Sequence, residues 1–164
     1  MSKSWKLKLI NFWPPYFGAG VRVKRIAPDL RAIDVEMKLR FWNQNYVGTH
    51  FGGSLYAMTD PFIMLMLIEN LGRDYIVWDK AALIQFKKPG KGKVSARFAL
   101  TANEIDEIRA QADREYKIEP KFTVSVTDES GETVALVEKT LYVRRKDRKK
   151  GEPSRSTEAG QRHE

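Results

Sequence analysis

The chain has 164 residues and a mass of 18.9 kDa, with 42% hydrophobic and 30% charged residues, a composition that supports one packed domain and excludes a disordered chain. It contains no cysteine and only two histidines, His50 and His163, which excludes disulfides, thiolate zinc sites, iron–sulfur clusters, cysteine nucleophiles and multi-histidine metal cages. The formal net charge of +8 is concentrated: Arg144 to Lys150 holds six basic residues and one acidic one, a run that reads as a solvated tail or as a contact for phosphates.

In chain order, Trp5 to Phe17 begins as an amphipathic helical segment and is expected to end at Pro14-Pro15, because proline does not continue a helix. Val21 to Ile26 alternates apolar and basic residues, a first strand. Ile33, Val35, Met37 and Leu39 alternate with Asp34, Glu36, Lys38 and Arg40, a half-buried second strand. A loop runs from Asn43 to Phe51, and Gly52-Gly53 opens an apolar stretch to Leu71 that is too long for a strand and reads as a helix. Tyr75 to Lys87 and Gly92 to Thr101 are strands joined by Lys88-Pro89-Gly90, read as a hairpin. Asn103 to Lys117 has helical spacing and an acidic surface, a helix or ordered loop. Phe122 to Thr127 and Thr133 to Val143 flank Asp128-Glu129-Ser130-Gly131, a second hairpin. The predicted architecture is α+β: an antiparallel sheet of about six strands around one long helix, preceded by a short N-terminal helix. Residues 1–17 form the N-terminal segment, 18–146 the folded domain, and 147–164 a basic then polar tail read as disordered. The longest apolar run, Phe62 to Ile68, is far too short to span a membrane, and no secretory signal pattern opens the chain, so a cytoplasmic location is expected.

Residues 54–68 are apolar almost all the way round, so this helix is expected to be buried on most faces. Asp60 is its one charge. A carboxylate buried there must be paired or shifted in pKa, which makes it a candidate for chemistry. The competing reading is a helix in two pieces, with Asp60 before Pro61 as an N-cap. At Gly52-Gly53, backbone N–H groups at a helix start could bind phosphate or a developing oxyanion, or the glycines could serve a tight turn. Asn45 and His50 add polar groups in the loop before. Gly18-Ala19-Gly20 lacks the rest of a dinucleotide fingerprint, and Gly52 to Tyr56 is not a nucleophile elbow.

The run Asn45-Tyr46-Val47-Gly48-Thr49-His50-Phe51-Gly52-Gly53, with Asp60 eight residues after Gly52, resembles the signature of hotdog-fold acyl-CoA thioesterases, the phenylacetyl-CoA thioesterase-like branch in particular. Within it the chain resembles most an uncharacterised thioesterase-like subgroup bearing Trp-Asp-Lys on the strand after the helix, here Trp78-Asp79-Lys80. The resemblance implies a hotdog fold and an enzyme that hydrolyses acyl-CoA or acyl-carrier-protein thioesters. Asp60 would be general base or nucleophile, Gly52 an oxyanion-hole donor, and Asn45 a group that positions water or substrate. Phe51 stands at the family's histidine position and His50 one residue before it. His50 is thus carried as a catalytic candidate, and Phe51, Gly53, Asp79 and Lys80 as substrate-binding ones. Asp79 matches a strand position that is often Ser or Thr in this branch. A second carboxylate near Asp60 would raise one of the two pKa values, whereas Asp79–Lys80 could equally be a surface ion pair. No metal or separate cofactor is implied, coenzyme A being part of the substrate; Lys87, Lys88, Lys91 or the Arg144–Lys150 run could hold its nucleotide. Homodimers or tetramers with sites between subunits are implied, and nucleic acid is not an expected partner. The alternative function is binding or sensing of an acyl ligand without catalysis.

Overall fold

The computed structural model describes residues 9–147. Residues 1–8 and 148–164, which hold the start of the N-terminal segment and nearly all of the basic and polar tail, lie outside the described residues.

A 3-10 turn, Leu9–Phe12, leads into helix α1, Pro14–Ala19. The two prolines therefore start a helix instead of ending one: they occupy its first turn, where a missing N–H forfeits no helical bond. Gly20 closes α1 in the left-handed region (φ 78°), and a Cβ there would stand 2.9 Å from the Asn43 amide nitrogen. Strands β1 (Val21–Ile26) and β2 (Ala32–Lys38) follow. The predicted long helix comes as two pieces, α2 (Gly52–Ala57) and α3 (Phe62–Leu71). Then come β3 (Tyr75–Phe86), β4 (Lys93–Ala99), α4 (Ala102–Arg114), β5 (Lys121–Asp128) and β6 (Thr133–Arg145). The helical reading of 103–117 holds, with Thr101 and Glu104 forming a reciprocal capping box at the start of α4.

The six strands form one antiparallel sheet in the order β1-β2-β4-β5-β6-β3. The β5–β6 hairpin is as predicted. The β3–β4 hairpin is not: β3 pairs only with β6, from Tyr75↔Arg145 to Phe86↔Ala135, while β4 sits between β2 and β5. Lys88-Pro89-Gly90 is turn chemistry, but a turn signal does not name a partner. The long register with β6 satisfies one edge of β3 along nearly its whole length, and the connection crosses to the other half of the sheet.

The core lies between one sheet face and α2–α3. Phe62, Ile63, Met66, Leu67 and Leu71 of α3 meet Val35, Met37, Val94, Phe98, Val124 and Val126. The helix is less enclosed than its composition predicted, since Met64 and Leu65 are half-buried and Ile68 is exposed. This architecture, an antiparallel sheet against a central helix, is the hotdog fold.

Phe98 is buried to 1% exposure, and its ring centre lies 5.0 Å from that of Phe62, tying β4 to α3. Phe98→Ala is expected to reduce unfolding free energy by about 3–5 kcal/mol, read as a lower urea midpoint with unchanged denaturant slope.

Candidate active site

Strand β6 alternates cleanly: Val137, Leu141 and Val143 point into the core, and Glu138 points to solvent. Lys139 occupies an inward position of the same series, its side chain only 1% exposed. A buried ammonium is tolerated only when it is paired, and two carboxylates meet it. Its Nζ donates to Asp60 Oδ1 at 2.7 Å and stands 3.1 Å from Asp79 Oδ1, an ion-pair contact that falls short of hydrogen-bond geometry. The Tyr56 ring centre lies 5.6 Å from the ammonium.

Both carboxylates are brought there by interruptions of regular structure. Asp60 lies in the break between α2 and α3, followed by a cis peptide bond to Pro61. The two-piece reading of the helix therefore holds, but the N-cap reading does not. Pro61 occupies the cap position of α3 without a side-chain bond, and the Asp60 carboxylate is spent on Lys139. Asp79 lies beside a register break in β3, where Asp79 opposes Leu141 and Ala81 opposes Thr140. That bulge makes Lys80 the extra residue and puts Ala82, a small side chain, opposite Lys139. Lys80 turns outward and pairs with Glu119 at 2.6 Å, so it is not the neutraliser of Asp79.

Charge in this cluster is unevenly held. Burial, then the neighbouring Asp60 carboxyl, pushes the Asp79 carboxyl above its ordinary value, against the pull of Lys139. Burial opposes the charge of Lys139, but the hydrogen bond it donates to Asp60 and the charges of both carboxylates outweigh it and hold the ammonium above its usual value. Tyr16 has a buried hydroxyl without a partner, pushed far up by burial and then by the Asp60 charge. Asp60 is the accessible member: its side chain is 43% exposed, against 20% for Asp79.

The other predicted residues gather around the start of α2. Asn45 folds its own loop: Oδ1 accepts from the N–H groups of Val47 and Thr49, and Nδ2 donates to Thr49 Oγ1 at 2.9 Å. His50 is buried, with Nε2 3.1 Å from the Gly92 carbonyl and Nδ1 unpartnered. Burial outweighs that contact and lowers its pKa, so the ring is neutral at pH 7. Phe51 precedes α2 and is exposed; a Cβ on Gly53 would run into its ring. Gly52 lies under Phe86, whose ring a Cβ would approach to 2.9 Å. Between this turn and the β3–β4 connection lies a cleft of about 430 Å³ lined by Asn45, His50, Gly52, Leu55, Phe86 and Pro89. Lys88 borders it, but its ammonium is paired with Asp128 and Glu132.

Apart from Lys80, which turns outward to Glu119, the predicted residues thus fall into two groups, Asp60 with Asp79 and the cluster from Asn45 to Gly53. Lys139 was not foreseen, although its signal, a lysine at an inward position between Val137 and Leu141, is present in the alternation of β6.

The chain matches the family described as "Domain of unknown function (DUF4442)" over residues 3–143. It belongs to the DUF4442 family. No curated protein matches it. Among solved structures, this DUF4442 chain is similar to a Pseudomonas aeruginosa protein of unknown function named a "probable thioesterase", with a TM-score of 0.76 and 20% identity over 88% of this chain and 97% of that one. It is also similar to a Haemophilus influenzae thioesterase, with a TM-score of 0.62 and 15% identity over 86% and 90% of the two chains. A variant of the phenylacetic acid degradation protein PaaI from Thermus thermophilus shares 21% identity over 80% and 98%, with a TM-score of 0.53. These likenesses establish the hotdog fold. Among the described residues, no helix of this DUF4442 domain is long and apolar enough to cross a membrane.

The raised pKa of Asp79 carries a sign for stability. Asp79 holds its proton more tightly folded than unfolded, so its contribution is fully present below the unfolded value and lost as pH rises through the folded one. Asp79→Asn, which mimics the protonated form, is expected to raise the melting temperature at pH 7 and to lose that advantage below about pH 4. Thermal scans across this pH range check it, and an equal or lower melting temperature for the variant at pH 7 would contradict it.

Proposed function

We propose that the protein hydrolyses acyl thioesters, of coenzyme A or of an acyl carrier protein, with Asp60 as the reacting carboxylate. The observation that carries this reading is the geometry of Asp60: its carboxylate is fixed from behind by a fully buried ammonium while its front reaches solvent. Acting as general base, Asp60 takes a proton from water as the water oxygen adds to the thioester carbonyl carbon. The tetrahedral oxyanion then collapses, the C–S bond breaks, and the proton returns to the departing thiolate, leaving acid and thiol. Acting as nucleophile, the Asp60 carboxylate would add to the thioester carbonyl and expel the thiolate as the C–S bond breaks, giving a mixed anhydride. Water then cleaves the anhydride to the free acid and the Asp60 carboxylate, and its released proton goes to the thiolate. Coenzyme A enters as part of the substrate, with Lys87, Lys91 and the Arg144–Lys150 run as candidate partners for its phosphates.

The oxyanion donor fits best as the Gly52 N–H of a second copy. Gly52 opens α2 and Asp60 lies past its far end; six helical residues alone span about 9 Å at 1.5 Å per residue, too far for both to act on one carbonyl within a chain. β3 supports a homodimer: it is a sheet edge, and Leu83 and Phe86 on it are each 55% exposed. In this reading Gly53 and Phe51 border the thioester entrance. The second reading, acyl-ligand binding without turnover, is favoured by one observation: Asn45 and His50, the polar groups expected to assist, are committed to their own backbone surroundings.

The test is thiol release from short, medium, long and aryl acyl-CoA substrates, with Asp60→Asn as control. Turnover of at least one class, reduced by about 100-fold or more in the variant, is the expected result. Turnover unchanged in Asp60→Asn would remove Asp60 from the mechanism, and binding without turnover in the wild type would favour the second reading.

A further inference from the structure

We propose that Lys139 is a positioning residue for Asp60: its ammonium, locked between Asp60 and Asp79 at an inward position of β6, sets the orientation of the Asp60 carboxylate and keeps it an anion beside a second carboxyl. This inference rests on the reading of Asp60 as the reacting group, but its central claim concerns the unliganded protein.

Three observations converge on it. The flanking inward residues Val137 and Leu141 are fully buried aliphatics, so an apolar side chain is the ordinary occupant of this place, and a buried ion pair is weak evidence for a purely stabilising role. The contacts are asymmetric. The 2.7 Å hydrogen bond goes to the exposed carboxylate, Asp60, whereas the more enclosed Asp79 receives only a 3.1 Å charge contact. The surroundings also leave the ammonium nowhere else to go. It faces Asp60 from the helix break, Asp79 from β3 and the Tyr56 ring from α2. The neutral hydroxyl of Tyr16 lies near Asp60 without a partner. Glu138, the next residue on β6, points to solvent. Two carboxyls this close would share a proton at neutral pH if nothing opposed it. The lysine supplies the opposing charge, in contact with both carboxylates.

The test compares Lys139→Met and Lys139→Arg with the wild type, by two readouts. In ligand-free protein, 13C NMR of the aspartate carboxyl carbons is expected to show the Asp60–Asp79 pair binding its first proton at least about one pH unit higher in Lys139→Met. The arginine variant should stay nearer the wild type. In kinetics, the acid limb of the kcat/KM profile should move up by the same amount in Lys139→Met. At pH 7, kcat should fall about 100-fold as orientation is lost, with partial recovery at higher pH. A purely structural lysine would instead lower the melting temperature while leaving the pair's titration and the acid limb in place, and that result overturns the proposal. If Lys139→Met does not fold, Asp79→Asn/Lys139→Met against Asp79→Asn isolates the same effect without the like charge. The site's acid titration should again rise by about one unit, and coincident curves would overturn the proposal. A wild type without hydrolysis, but with the titration shift intact, would refute the thioesterase reading and leave the role of Lys139 standing.

Discussion

The arrangement depends on one buried ammonium. Lys139 occupies an inward position of β6, and a charge there is compatible with folding only if opposite charge comes to it. Each departure from regular structure nearby serves that need. The central helix is interrupted between Ala57 and Phe62, which lets Asp60 reach the sheet. The β3 register slips at Lys80, which keeps Asp79 facing inward, turns Lys80 out to Glu119, and sets the small Ala82 opposite the lysine. The cluster carries one positive and two negative groups, so ionisation cannot be complete without an unpaired buried charge. Asp79, the more enclosed carboxyl, is the one pushed up.

Much of this was legible because it rests on short-range pattern. The alternation of β2 and β6, the β5–β6 hairpin and α4 follow from periodicity and turn residues within a few positions. Asp60 stood out as the single charge in an apolar helix, and Asp79 followed from resemblance and strand register. What was not legible rests on long-range pairing. The Lys88-Pro89-Gly90 turn predicted a hairpin because turn chemistry is local, whereas β3 found its partner some sixty residues later in β6. Asp60-Pro61 has the composition of a cap, yet the carboxylate went to a lysine 79 positions away. Lys139 was overlooked because lysine in an alternating strand is ordinarily read as the solvent face; counting its register against Val137 and Leu141 puts it on the other.

The loop before α2 shows how similar motifs can differ in use. Asn45, which resemblance makes a substrate-positioning residue, supplies both ends of its amide to the turn it begins. His50, one residue from the family position, is buried, neutral and held near the Gly92 carbonyl. These side chains shape the wall of the cleft without presenting a titrating group to it. In the cluster around Lys139, by contrast, Asp60 presents a carboxylate with its side chain 43% exposed, against 20% for Asp79.

Structural likeness at about 20% identity fixes the course of the backbone but not the side chains that meet on it. Here the side chains that meet are an inward lysine and two carboxylates. Replacing the lysine alone would leave the enclosed Asp79 without its opposite charge, whereas replacing Asp79 by asparagine leaves the ammonium paired with Asp60. Lys139 thus couples the two carboxylates electrostatically. The exposed carboxylate of Asp60 and the buried ammonium of Lys139 therefore form one structural unit, joined by the 2.7 Å hydrogen bond between the helix break and β6.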